Sequence, residues 1–253
     1  MRKNKKSIFI LLIVLGLTFP SLIAGQTNAD KDQYYVNLLY FKEGGESARK
    51  NFLIENKNLL SKHKIKEVRT IDVTGGFELH GINDFVAQPN QVVIYSGNYK
   101  DFERYKEDKK MDMLRPIMTE GYEKYSLFWG DMKNSPLIKN DTTNDATKIF
   151  NAAFVSVKEG READITLFKE KLAPLSRKYG LGSTLVIQNL KKGALLGENL
   201  IEIPTSIEIW YFDTNNDNGG IEGYLKDEKY KDLAPLRLDA TSIWGSFSGA
   251  PQK

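Results

Sequence analysis

Two hydrophobic patterns alternate along the chain and predict its secondary structure. Segments rich in β-branched and aromatic residues, or alternating apolar with polar positions, predict strands. They are residues 35–41, 67–73, 91–95, 125–129, 149–157, 183–188, 206–212 and 241–247. Apolar residues at helical spacing predict helices. They lie within residues 47–63, 101–122, 165–179 and 220–240.

Three residues suggest interruptions in these helices. Asp108 favours an N-cap, so the second helical stretch should break there, and Pro116 should break it again. Pro174 lies inside the third helical stripe and should kink that helix or end it.

The chain carries an internal repeat with a nearly constant offset. Five residues follow the pattern Y-x-x-D-x-K-x-x-x-L-x-P, and the same pattern returns 119 positions later. The two sets are Tyr105, Asp108, Lys110, Leu114, Pro116 and Tyr224, Asp227, Lys229, Leu233, Pro235. Residues 42–44 recur as 158–160, an offset of 116. We interpret the repeat as a tandem duplication.

Each copy has the element order β-α-β-β-α-β, which is that of a ferredoxin-like module. The predicted fold class is therefore α+β, with two tandem modules whose sheets cover each other. The strand 206–212 supports this, because Ile207, Ile209 and Tyr211 point to one face while Trp210 and Phe212 point to the other. The predicted modules span 31–130 and 149–250, and the polar segment 131–148 is a predicted linker.

The first 25 residues have the pattern of a secretory signal peptide. A basic start precedes an apolar run at 8–19, which is short for a membrane span, and small residues follow at 24–25. Four positive charges lie there and no acidic residue, so cleavage would take the formal net charge from +3 to −1. We therefore expect an exported bacterial protein, periplasmic or secreted, with no stable membrane anchor and no nucleic-acid partner.

Two stretches resemble a known superfamily. Residues 224–230, with Leu233 and Arg237, are similar to a helix signature of an uncharacterised short-module branch of the dimeric α+β barrel superfamily. Residues 75–79 resemble that branch's Gly-Gly-aromatic strand. The resemblance implies an intramolecular barrel, a monomeric pseudo-dimer, with pockets between sheet and helices. Relatives in the superfamily include small monooxygenases, haem-degrading enzymes, haem peroxidases and isomerases, so it implies no single activity.

The sequence offers few ligands for a metal or haem. It contains no cysteine and only two histidines, His63 and His80, and none in the second copy. His63 is predicted to cap a helix C-terminus, while His80 is a candidate for a functional role. Asp213, Asn215 and Asp217 alternate as in calcium loops, but the positions for the loop glycine and the bidentate glutamate differ, so a solvated turn is favoured. We predict no metal and no cofactor.

Other polar residues occupy positions where a core is expected. Glu208 interrupts an apolar strand, so it should form a salt bridge, with Arg115 or Arg237 as partner, or provide a polar point in a pocket. Asp108 and Asp227 are interpreted as N-caps, and the tyrosines at 105 and 224 as packing against the sheet. The candidate ligand-binding residues are His80, Tyr95, Tyr105, Arg115, Glu208, Trp210, Tyr224 and Arg237.

These observations support three functional hypotheses. The first is the binding of a small apolar or aromatic ligand in a barrel pocket. The second is a cofactor-free monooxygenase or isomerase, in which His80, Glu208 or a tyrosine transfers protons. The third is haem binding through His80. The common hydrolase and nucleotide-binding motifs are absent from the sequence.

Overall fold

The structure, a computed structural model, describes residues 32–80, 88–133, 147–197 and 202–251. The elements of the first half are β1 Asp32–Phe41, α1 Glu46–Lys62, β2 Lys66–His80, β3 Gln91–Asn98, α2 Tyr99–Lys106, α3 Lys109–Gly121 and β4 Tyr122–Met132. Those of the second half are β5 Lys148–Val157, α4 Glu162–Lys178, β6 Leu181–Leu196, β7 Ser206–Asp213, α5 Gly220–Lys226, α6 Glu228–Ala240 and β8 Thr241–Pro251. The predicted strands and helices are thus found in the predicted order.

The eight strands form one closed antiparallel barrel. The strand order is β1-β3-β2-β8-β5-β7-β6-β4. Each half contributes four adjacent strands, and the halves join where β2 pairs with β8 and β4 with β6. Closure leaves no strand edge open. The predicted α+β class and the barrel are confirmed.

The barrel interior is filled by apolar side chains from both halves. They are Val36, Leu38, Tyr40, Ile71, Val92, Ile94, Phe128, Phe150, Ala152, Phe154, Leu185, Ile187, Ile207, Ile209 and Phe247. Because side chains alternate along a strand, Trp210 faces the other way, into the core beneath the helices of the second half. The predicted burial of both faces of β7 is therefore confirmed.

The helices pack outside the barrel, and each half has its own core beneath them. Asp108 and Asp227 are N-caps, since each carboxylate accepts the backbone N–H two residues further on. These caps set where α3 and α6 begin, and thus which side chains those helices direct at the sheet.

The predicted break at Pro116 is wrong, and Pro174 does not end its helix. Pro116 lies inside α3 and Pro174 inside α4. Both prolines lie on the exposed side of their helix, where water can bind the carbonyl that proline leaves without a donor.

Two further predictions lie partly or wholly outside the described residues. The predicted linker begins inside β4 and ends inside β5, and its middle, 134–146, lies outside the described part. The predicted signal peptide lies outside it entirely. None of the described helices is long and apolar enough to cross a membrane.

Candidate functional site

A cavity of about 100 Å³ lies between the sheet and the helices of the second half. Its floor comes from β5, β7 and β8, and its roof from α4, α5 and α6. The lining residues are Asn151, Ala153, Phe168, Leu172, Leu181, Trp210, Phe212, Ile221, Tyr224, Leu225, Tyr230, Arg237, Trp244 and Ser246. An apolar cavity of about 150 Å³ binds benzene, so this space of about 100 Å³ by itself takes only part of such a ligand.

Aromatic rings form most of the cavity wall. Phe168 meets Trp244 edge to face, with ring centroids 5.9 Å apart. Tyr224 lies 4.5 Å from Tyr230, centroid to centroid. Burial raises the pKa of the Tyr224 hydroxyl well above its ordinary value, so the group is a neutral phenol at physiological pH. Such walls favour a flat, apolar ligand.

One end of the cavity is polar and carries a buried positive charge. The Arg237 side chain belongs to a residue only 6% exposed. Its NH1 donates to the Tyr230 hydroxyl at 2.7 Å, while its buried Nε has no hydrogen-bond partner. Nearby, Asn151 Nδ2 donates to Ser246 Oγ at 3.0 Å. An arginine so deeply buried is normally paired with a carboxylate, and no carboxylate of the described residues forms an ion pair with it.

A larger groove adjoins the cavity on the side of α4. Its volume is about 340 Å³, and Leu172, Leu181 and Trp210 line both spaces. The groove also has polar walls, from Lys169, Ser176, Arg177 and Ser183. Trp210 therefore separates an apolar cavity from a more polar opening.

Glu208 is fully buried behind this wall and is bound on both oxygens. Lys169 Nζ and Ser206 Oγ donate to Oε1, and Trp210 Nε1 donates to Oε2 at 3.2 Å. The predicted partners Arg115 and Arg237 are wrong, because α4 brings Lys169 over β7. Glu208 thus holds the Trp210 indole in place and does not itself line the cavity.

The equivalent space in the first half is occupied by side chains. Tyr35 stacks on Phe102 with ring centroids 3.7 Å apart, and Tyr105 donates to Asn56 Oδ1 at 2.7 Å. The strand register makes the comparison direct: Tyr35 pairs with Tyr95 across β1 and β3, as Asn151 pairs with Trp210 across β5 and β7. At this position the stacked tyrosine ring of the first core, Tyr35, is replaced in the second by the amide of Asn151.

At two further positions, an apolar core residue of the first half corresponds to a polar residue in the second. Met118 lies ten residues after the cap Asp108, and Arg237 lies ten residues after Asp227. Asn37 pairs with Leu127 across β1 and β4, as Ala153 pairs with Ser246 across β5 and β8. Methionine and leucine of the first half thus correspond to arginine and serine in the second.

The structure brings three of the eight candidate residues to the cavity. Trp210, Tyr224 and Arg237 line it. Tyr95 and Tyr105 are buried in the core of the first half. Arg115 lies exposed on α3, 3.6 Å from Asp112.

His80 ends β2, opposite Trp244 in the strand register, and the described part does not include its side chain. Asn151, Tyr230 and Ser246 were not among the candidates. A position-by-position comparison of the two halves of the sequence would have marked Asn151 and Ser246 as polar where the first half has core residues.

A matching cluster of polar contacts surrounds each helix cap. Lys62 and His63 both bind Asp108, at 2.5 and 2.7 Å, and Lys178 and Tyr179 both bind Asp227, at 2.9 and 2.7 Å. The hydrogen bond from Lys178 is the main cause that lowers the pKa of Asp227 to about 2. The pKa of Asp108 is likewise lowered, chiefly by Lys62. His63 follows the end of α1 as predicted, and these carboxylates act structurally.

The loop after β7 that resembles a calcium site forms an ordinary turn. Asp213 Oδ1 accepts the backbone N–H of Asn215 at 2.9 Å, and Asn216 Oδ1 accepts that of Asn218 at 3.0 Å. Gly219 and Gly220 follow with positive φ, which lets the chain reverse into α5. The favoured interpretation as a turn agrees with this geometry.

Comparison with known proteins identifies the fold. No family model matches the sequence, and no curated protein matches it. The structure is similar to that of an anthrone oxidase-like protein, with a TM-score of 0.54 and 13% identity over 88% of this chain and 92% of that chain. It is also similar to a mutant chlorite dismutase from Candidatus Nitrospira defluvii in complex with cyanide, with a TM-score of 0.51 and 8% identity over 88% and 91%. Identities this low show the fold alone, which is the dimeric α+β barrel.

The cavity does not fit a haem. Haem iron usually takes a histidine, cysteine or methionine ligand, and none of these residue types is among the described residues that line the cavity. Tyr224 is a poor substitute, because its raised pKa disfavours the phenolate. His63 is bound to Asp108 in the other half. A space of about 100 Å³ is also far smaller than a porphyrin needs.

Proposed function

We propose that the second half of the barrel binds a small molecule with a flat, mostly apolar body. The observation that carries this proposal is the aromatic cavity itself, at a position that the first half fills with Tyr35 and Phe102. An unfilled cavity and an unpaired buried charge both lower stability. A bound ligand would recover that cost, and it accounts for both features together.

The test is native mass spectrometry of the purified protein, compared with its denatured mass. We expect a retained small molecule that is lost in Ser246→Leu, because the leucine would fill the cavity as Leu127 fills the first half. The matched control is Ser242→Leu, the same change on an exposed position of β8. Wild-type protein that retains no mass and binds no aromatic probe would refute the proposal.

Catalysis is the second proposal, and the contacts favour it less. A cofactor-free monooxygenase or isomerase needs a proton acceptor at the ligand. Glu208 has donors on both oxygens and lies behind Trp210, and Tyr224 holds its proton. Turnover of a bound phenol that Tyr224→Phe abolishes would establish catalysis, whereas binding without turnover would support the binding function.

We also propose the organisation expected from the sequence. The shared strand order of the halves and the matched caps at Asp108 and Asp227 support two tandem ferredoxin-like modules in a monomeric pseudo-dimer. The signal-like residues 1–25 support export to the periplasm or the medium. N-terminal sequencing of the protein secreted by a bacterial host would test export, and light scattering would test the monomer.

A further inference from the structure

The polar end of the cavity contains more hydrogen-bond donors than acceptors. Arg237 Nε has no partner. The Tyr230 hydroxyl accepts from Arg237, and the Ser246 hydroxyl accepts from Asn151, so the proton of each hydroxyl points to no recorded acceptor among the described residues. Arg237, Tyr230 and Ser246 all line the cavity, so a ligand bound at this end must supply acceptors.

The net charge of this end is positive, and no carboxylate of the described residues forms an ion pair with Arg237. Trp244 and Tyr230 face the guanidinium, with ring centroids 5.4 and 5.8 Å from Cζ. Such rings stabilise a cation partially but carry no net negative charge. Glu208, the buried carboxylate among the described residues of this half, is bound to Lys169, Ser206 and Trp210 instead.

We propose, on the basis of the proposed binding function, that the ligand is an aromatic or similarly flat carboxylate whose anionic group pairs with Arg237. NH1 is engaged by Tyr230 and Nε is enclosed by the protein, so NH2 is the guanidinium nitrogen left to bind the carboxylate. The Tyr230 and Ser246 hydroxyls add donors to the same group. The apolar body then lies among Phe168, Trp210 and Tyr224.

Arg237 is therefore a residue that determines ligand specificity. A cavity without a charge would favour the neutral amide over the carboxylate, because the buried anion would be unpaired. With Arg237 present, the amide leaves a buried guanidinium unpaired, so the site discriminates by charge rather than by shape.

The test is calorimetric titration of the whole protein with benzoate and with benzamide, which have nearly the same shape. Benzoate should bind about tenfold or more tightly than benzamide. Arg237→Met, which introduces the residue found at position 118, should weaken benzoate about tenfold and change benzamide less than about twofold. Arg237→Lys should restore part of the benzoate affinity, since lysine keeps the charge but loses the planar guanidinium.

The outcomes separate this inference from the binding function. Equal affinities for the two probes, or a preference for benzoate that survives Arg237→Met, would overturn the carboxylate assignment and leave the cavity as a binding site. A neutral molecule retained in native mass spectrometry would do the same. If neither probe binds, the carboxylate inference is overturned. If, in addition, native mass spectrometry detects no retained molecule, the binding function is overturned as well. Ser246→Leu should abolish both titrations.

Discussion

The two halves of the barrel have the same strand order but different cores beneath their helices. In the first half, Tyr35 stacks on Phe102, and Tyr105 is fixed by Asn56. In the second half, the position equivalent to Tyr35 is Asn151, and a cavity of about 100 Å³ opens beside it. One half is packed as a structural core, and the other keeps a space with a charged end.

This difference shows how a barrel of two similar halves can specialise. The shared interior, made from both sheets, fixes the architecture whichever side chains lie under the helices. A polar substitution under the helices of one half therefore costs local packing but does not endanger the barrel. The first half, with its tightly packed core, can therefore provide stability while the second half contains the cavity.

Exchange of the equivalent residues should give the largest effect. Tyr35→Asn should destabilise the protein by about 4 kcal/mol, because it removes the stack on Phe102 and leaves an amide in an apolar core. The reciprocal Asn151→Tyr should change stability by less than about 1 kcal/mol, because the ring enters existing space. Urea unfolding measures both, and equal costs for the two exchanges would contradict the difference between the halves.

The buried pair Lys169–Glu208 has no counterpart in the first half, where Val93 occupies the strand position of Glu208. Glu208→Val should cost about 3 kcal/mol and shift the Trp210 emission, because it leaves Lys169 and the indole N–H without an acceptor. The double variant with Lys169→Leu should recover most of that stability. If the double variant were no more stable than Glu208→Val, the pair would not be the source of the cost.

Tyr105 and Tyr224, the tyrosines of the repeated sequence pattern, should differ in how much stability their hydroxyls provide. Tyr105→Phe should cost about 1 kcal/mol, because Asn56 Oδ1 loses its donor inside the core. Tyr224→Phe should cost less than about 0.5 kcal/mol, since its hydroxyl makes no recorded hydrogen bond to the described residues and it borders the cavity. Thermal unfolding of both variants measures these two costs. A larger loss of stability for Tyr224→Phe than for Tyr105→Phe would contradict the expected difference.

The helix caps should behave alike in both halves, and their effect is the smallest. The pKa of Asp227 is about 2 in the folded protein, below its ordinary 3.8. A lowered pKa stabilises the fold above the ordinary value, and that stabilisation is lost as the pH falls from about 4 towards 2. Asp227→Asn and Asp108→Asn should each flatten the dependence of stability on acid pH. If the acid unfolding curves of both variants were unchanged, these caps would not be the source of the pH dependence of stability.

The sequence predicts the fold well and the site only in part. The alternation of apolar residues at 206–212, and the caps at 108 and 227, determine strands and helix starts locally, so they can be read directly. Pro116 and Pro174 mislead, because their tolerance depends on which face of the helix meets water. The partner of Glu208 depends on how α4 crosses β7, which no local pattern encodes.

The most direct measurement of the central claim is a crystal structure of the protein with 4-bromobenzoate. The bromine can be located by its anomalous scattering, independently of the rest of the density. We predict one peak in the cavity of the second half, with the carboxylate at Arg237, and none at the equivalent place beside Tyr35 in the first half. A peak in the first half, or no peak at Arg237 at saturating ligand, would contradict the account.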